Sequence, residues 1–272
     1  MISPPALMLA AAITGLVGAL GGLGGAILLV PILVVAGMDA SIAAPLGLVS
    51  VVAVSVGAGA AQLAQRSVNH RLGVTIEVIA TSGAVVGATV SNLVPDRALE
   101  LVLAFVALAT AVASARRKGL RNPPDPSYGL EDVGERIGTL TGAYPLGAAI
   151  APYRPRNLPL GLSLMGVAGL VAGMTGTSGG FIKTPAMSEV MHVPTKVAAA
   201  TTTFTIGVTA AAALIVFAYQ GRVTPTAAAG VIVGSLVGGW AGARLQTRLQ
   251  PAGVRMFVAI VLGVIAVLLV AR

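Results

Sequence analysis

The sequence predicts an all-α polytopic membrane protein made of two inverted repeats. Each repeat is a Gly-broken hairpin or helix pair followed by three transmembrane helices. Three observations lead there. Of 272 residues, 56% are hydrophobic and only 10% charged, with a mean hydropathy of +0.93, so apolar surface has to face lipid. A glycine-rich stretch occurs twice, as ALGGLGGAILLVP at 19–31 and GMTGTSGGFIKTP at 173–185, 154 residues apart. The arginine-rich loops also change sides between the halves, as inverted repeats require.

The first repeat, 1–115, contains apolar segments at 4–21, 25–37, 40–64, 73–94 and 98–115. The N-terminus lacks the basic region of a secretory signal and is read as the first membrane segment. The second repeat, 159–272, contains segments at 159–175, 179–191, 196–219, 225–247 and 253–271. Most reach the roughly 20 residues that span a bilayer as a helix. The second segment of each half is shorter, about 20 Å at the helical rise, so it either spans poorly or forms one arm of a hairpin. Gly83-x-x-x-Gly87 in the first half corresponds to Gly238-x-x-x-Gly242 in the second. This spacing puts both glycines on one helix face, and the reading is close helix contact rather than chemistry.

Loop 65–72 carries Arg66 and Arg71. The linker 116–158 opens with Arg116, Arg117, Lys118 and Arg121 and closes with Arg154 and Arg156, and the last loop holds Arg244, Arg248 and Arg255. Basic loops belong in the cytoplasm, which places 65–72, 116–158 and 244–255 inside and both termini outside. The linker is too polar and too proline-broken to span, and its residues suggest no chemical role; a small cytoplasmic cap and a partner surface are both left open.

The two glycine clusters are the candidate site. A non-helical backbone survives within a membrane only where protein buries it or it lines a cavity, and paired interrupted segments point to a transporter's binding site. Gly22, Gly24 and Gly25 form the first cluster; Gly176, Gly179 and Gly180 form the second. They free backbone N–H groups at the start of a helix, where anions bind. Thr175, Thr177 and Ser178 add hydroxyls, as do Thr201 and Thr202 on the next helix. The plainer alternative is that the glycines only pack and the hydroxyls bond the preceding turn. Lys183 is the sharper clue, because an ionisable residue in an apolar run by default marks function. Its counterpart is Leu29, so the expected site is asymmetric. No metal site and no cofactor is expected.

Glu77 and Glu100 lie near segment starts and Glu189 near a segment end; all three are read as interfacial, with a proton carrier kept as the weaker alternative for Glu77. Without an acidic relay, the expected driving force for anion movement is the substrate gradient plus the membrane potential, about 2.3 kcal/mol per charge per 100 mV. Gly176-Thr177-Ser178-Gly179 also fits the GxSG of rhomboid-like intramembrane serine proteases. Serine hydrolysis needs a base in reach, however. His70 and His192 lie near loops, and Gly24 replaces the serine in the other copy. A passive anion channel would share the same site. There is no cysteine for a thiolate or a disulfide. The net charge of +8 resides at segment ends, so nucleic acid is not an expected partner; the lipid bilayer and a small anion are, and a homodimer is left open.

At GGLGGAILLVP and GTSGGFIKTPAM, followed by VPTKVAAATTTFTIGVTAAAA, the chain resembles the sulfite exporter TauE/SafE family of anion permeases. The likeness covers nearly the whole length. It implies a multi-pass protein of the cytoplasmic membrane that moves sulfite, an organosulfonate or another small anion. The first copy departs from the family at Ala26 and Pro45, where a third glycine and a Gly or Thr are more usual, so the first half-site is expected to contribute differently.

Overall fold

Prolines and glycines set the helix boundaries. A proline costs nothing in the first turn of a helix, and a glycine accepts the left-handed conformation that ends one. The computed structural model describes residues 3–116, 122–245 and 251–271. Arg117, Lys118, Arg121 and Arg248, all used above for orientation, lie outside them, as do the side chains of Arg116 and Arg255. Among the described residues the chain forms ten α-helices. The first half holds α1 (Pro4–Gly21), α2 (Ala26–Val35), α3 (Ala40–Ala64), α4 (His70–Ser91) and α5 (Asp96–Arg116). The second holds α6 (Leu158–Thr175), α7 (Gly180–Pro185), α8 (Thr195–Tyr219), α9 (Pro225–Leu245) and α10 (Pro251–Ala271). Beyond Pro185, α7 widens into a π-helical turn over Ala186–Val190, closed by Met191 N–H on the Ala186 carbonyl at 2.9 Å. Six of these helices, α1, α3, α4, α6, α8 and α9, are long and apolar enough to cross a membrane. Their outer faces expose Val74, Val78, Val208 and Ile215, side chains suited to lipid.

The short segments turn back rather than span. Arg156 N–H donates to the Met191 carbonyl at 2.9 Å and Asn157 Nδ2 to the Val190 carbonyl at 3.1 Å. The start of α6 and the end of the π turn therefore meet at one end of the bundle, the end that carries the linker. The α1–α2 hairpin opens at the other end. There the first turn of α3 is tied to the start of α5 by Ser41 N–H on Asp96 Oδ1 at 2.8 Å. Arg222, between α8 and α9, holds the Ser41 carbonyl at 2.8 Å. The start of α1 runs beside the start of α9, with Pro4 and Met8 against Gly230.

The two halves exchange equivalent contacts. A Cβ at Gly83 would collide with the Gly166 carbonyl and one at Gly87 with that of Leu170; a Cβ at Gly238 would collide with the Ala12 carbonyl and one at Gly242 with that of Leu16. Each contact is the copy of another, about 154 residues away. The GxxxG glycines are packing devices, as their spacing predicts, and they join α4 to α6 and α9 to α1.

The linker, for which a small cap is one open reading, carries strands that the sequence did not suggest. Strands β1 (Gly134–Glu135), β2 (Gly142–Leu146) and β3 (Ala149–Tyr153) form an antiparallel sheet in that order. Tyr144, Ala151 and Tyr153 pack onto Leu72, Met165, Met187 and Val197, where α4, α6, the π turn and α8 converge. Asn69 locks the joint. Its Oδ1 caps α4 by accepting from Leu72 N–H at 2.9 Å, while Nδ2 donates to the Leu140 carbonyl at 3.0 Å and to Tyr153 Oη at 3.1 Å. Burial pushes the Tyr153 phenol up to about 12, so it stays a neutral hydrogen-bonding group.

Candidate functional site: two glycine breaks and a buried ion pair

Both breaks start alike. Gly22 (φ 65°) ends α1 and Gly176 (φ 71°) ends α6, each in the left-handed region that a side chain disfavours. Each break rests on the opposite half. A Cβ on Gly22 would come within 2.5 Å of the Cβ of Ala199 on α8, while Gly176 lies against Ala44 on α3, the counterpart of Ala199. The breaks also touch one another. Gly24 leaves no room for a side chain against Ser178, and Gly180 lies against the Leu23 carbonyl. Gly22, Gly24, Gly25, Gly179 and Gly180 are all buried.

A break strands backbone carbonyls, and the second half satisfies those of the first. Ser178 Oγ donates to the Leu23 carbonyl, and Thr184 Oγ1 donates to the Gly22 carbonyl at 3.0 Å. Thr175 takes the plainer role weighed for the hydroxyls, bonding the preceding turn through the Val171 carbonyl at 2.8 Å; it also shares a hydrogen bond with Thr177 Oγ1 at 2.8 Å. Thr201 and Thr202, on the same helix as the Ala199 that meets Gly22, have partners of their own. Thr201 Oγ1 accepts from Asn69 N–H at 2.9 Å and Thr202 Oγ1 lies 3.6 Å from Met187 Sδ.

Lys183 is fully buried one turn into α7 and is not a free cation. Its Nζ donates to Glu77 Oε2 at 2.8 Å and to Thr209 Oγ1 at 2.7 Å. Glu77 Oε1 accepts from Thr209 N–H at 2.8 Å and from the Thr209 hydroxyl. This corrects the interfacial reading of Glu77, whose residue exposure is 5%. The apolar segment begins at 73, which makes Glu77 look terminal; the helix begins at His70 under its Asn69 cap, which puts Glu77 two turns inside. Glu100 behaves as expected of an end residue, pairing with Arg97 at 3.1 Å near the start of α5. The counterparts of Lys183, Glu77 and Thr209 are Leu29, Ile232 and Val54, so the expected asymmetry extends to a whole polar cluster.

The protease geometry gains no support. The Ser178 hydroxyl is engaged by a backbone carbonyl, and His70 lies at the linker end, 3.4 Å from Glu135 and edge-on to Phe204.

The model of the family described as Sulfite exporter TauE/SafE matches residues 7–269. The chain belongs to the sulfite exporter TauE/SafE family. It is similar to the probable membrane transporter protein YunE of Bacillus subtilis (strain 168), with 25% identity over 264 residues that cover 92% of this chain and 91% of that one. No solved structure matches. This TauE/SafE protein is thus a multi-pass membrane transporter, and its family supports a non-enzymatic role.

Two residues of the buried polar contacts, Thr184 and Thr209, were not reached from the sequence, nor was the pairing of Glu77 with Lys183. Glu77 was legible as the one charge within the apolar segment 73–94, opposite in sign to Lys183 in 179–191. Thr184 and Thr209 gave no signal, since threonines are frequent in both segments.

Proposed function

We propose that this protein exports a small anion, such as sulfite or an organosulfonate, across the cytoplasmic membrane. The halves act as inverted repeats, with the linker sheet in the cytoplasm and both termini outside. The anion binds at mid-membrane between the breaks at Gly22–Gly25 and Gly176–Gly180. The observation that carries this reading is the meeting of the two breaks, Gly24 against Ser178, with Lys183 in the turn that follows. The first N–H groups of α2 and α7 lack intrahelical acceptors, and Lys183 supplies the charge complementary to an oxyanion. Contact between the breaks closes the middle of the bundle. Alternating access requires such a state, and rocking of one hairpin against the other would open it to either side.

The test is flux of radiolabelled sulfite in proteoliposomes, with competition by sulfate, thiosulfate, sulfoacetate and chloride. Saturable flux that a small sulfur oxyanion competes for is the expected result. Flux no greater than in protein-free liposomes for every anion overturns the reading.

A further inference from the structure

Lys183 and Glu77 cancel each other. The ammonium has three N–H donors, of which Glu77 Oε2 and Thr209 Oγ1 occupy two, and the side chains are 0% and 7% exposed. An incoming anion therefore meets a lysine whose charge is already matched by a carboxylate of the protein itself. The third N–H of Lys183 could reach an external oxyanion, but the anion would then lie beside the Glu77 carboxylate. Glu77 must therefore either move away with its charge or lose that charge. Moving away leaves an unpaired carboxylate inside the bundle, the costly state.

No second cation faces Glu77 from the elements packed around it. Among the described residues α6 carries no charged side chain. On α8, Lys196 is exposed in the first turn; on α4, His70 and Arg71 are exposed at the linker end. The π turn contributes Glu189, which is acidic. Protonation is the way left.

We infer that each anion is carried together with one proton, held on Glu77. This rests on the anion site proposed above. The proton comes from water on the loading side and forms an O–H bond on the Glu77 carboxylate. The Nζ–H···Oε2 hydrogen bond then gives way to Nζ–H···O on the anion. On the far side the anion leaves, Glu77 returns its proton to water, and the ion pair re-forms. The unloaded transporter goes back with the neutral pair. The other half has Leu29, Ile232 and Val54 at these places, so the count is one proton per cycle and not two. A monovalent anion then crosses without net charge, and the pH difference rather than the membrane potential sets its distribution.

Purified wild-type protein gives a direct test. Binding of methanesulfonate, which stays ionised across the working pH range, is measured by titration calorimetry in buffers of different ionisation enthalpy. Uptake of about one proton per anion is expected; none overturns the inference, and this count does not depend on any variant. In proteoliposomes with the potential clamped at zero, a one-unit pH difference should concentrate methanesulfonate about tenfold on the alkaline side. Glu77→Gln should lose that accumulation, and a Glu77→Gln protein that still accumulates methanesulfonate tenfold overturns the inference. Accumulation that ignores the pH difference and follows an imposed potential overturns proton coupling while leaving the anion site standing. A wild-type protein that carries neither methanesulfonate nor sulfite overturns the site itself, and this inference with it.

Discussion

Glu77 Oε2 accepts a hydrogen bond from Lys183 Nζ at 2.8 Å, joining two opposite charges that lie 106 residues apart in the sequence and are both buried. A buried pair of this kind adds little stability over apolar packing, but removing one partner leaves an uncompensated charge that costs about 3–5 kcal/mol. Lys183→Leu alone and Glu77→Ile alone should each lower the thermal unfolding midpoint in detergent. The double variant copies the residues of the other half and should recover most of the loss while abolishing anion flux. A double variant as unstable as the sum of the single ones would mean that the pair is not an isolated electrostatic unit.

Ser178 and the Leu23 carbonyl form the second testable contact. Ser178→Ala strands a buried carbonyl, which should cost about 1–3 kcal/mol and weaken transport modestly, because backbone groups and Lys183 still reach the anion. Unfolding midpoints and sulfite flux check both effects. Loss of cleavage of a membrane substrate, with stability and flux untouched, would instead favour a serine nucleophile.

The helices were legible because apolar length and glycine or proline punctuation are local properties. All ten segment readings begin within three residues of the helix that formed, as with 40–64 and α3 or 225–247 and α9; which helix meets which was not legible. The GxxxG glycines announced a contact without naming the partner, since Gly87 and Leu170 are neighbours only after folding. The glycine breaks were legible twice over, through duplication. Glu77 was misplaced for a physical reason: hydropathy marks where apolar residues begin, whereas Asn69 caps α4 a turn earlier. The β-sheet of the linker was hidden by its short strands and by Pro145 and Pro152 within them.

The sidedness proposed from the basic loops is open to chemical labelling, because the chain has no native cysteine. Ser127→Cys, in the linker, should react with a membrane-impermeant maleimide only after the cells are opened. Gly221→Cys, at the opposite end, should react in intact cells; its added side chain meets nothing within 4 Å, although its φ of 69° makes a modest strain the cost. Labelling of both from the same side would remove the inverted-repeat orientation, and exchange of the two patterns would reverse it.

The exchanged glycine contacts make a symmetric prediction. Gly87 on α4 sits on the Leu170 carbonyl of α6, and Gly242 on α9 sits on the Leu16 carbonyl of α1. Even one methyl at either place would strike backbone, which has no rotamer to escape into, so the helices have to separate. Overpacking of this kind costs about 1–3 kcal/mol. Gly87→Ala and Gly242→Ala should therefore destabilise by similar amounts, each acting between one helix of one half and one of the other. The two contacts share no residue, so their effects should add in the double variant. Gly263→Ala on α10, where a Cβ meets nothing within 4 Å, is the control and should stay within about 0.5 kcal/mol of wild type. Unfolding midpoints in detergent measure all four. If Gly87→Ala behaves like the control while Gly242→Ala does not, the two halves are not held by equivalent contacts.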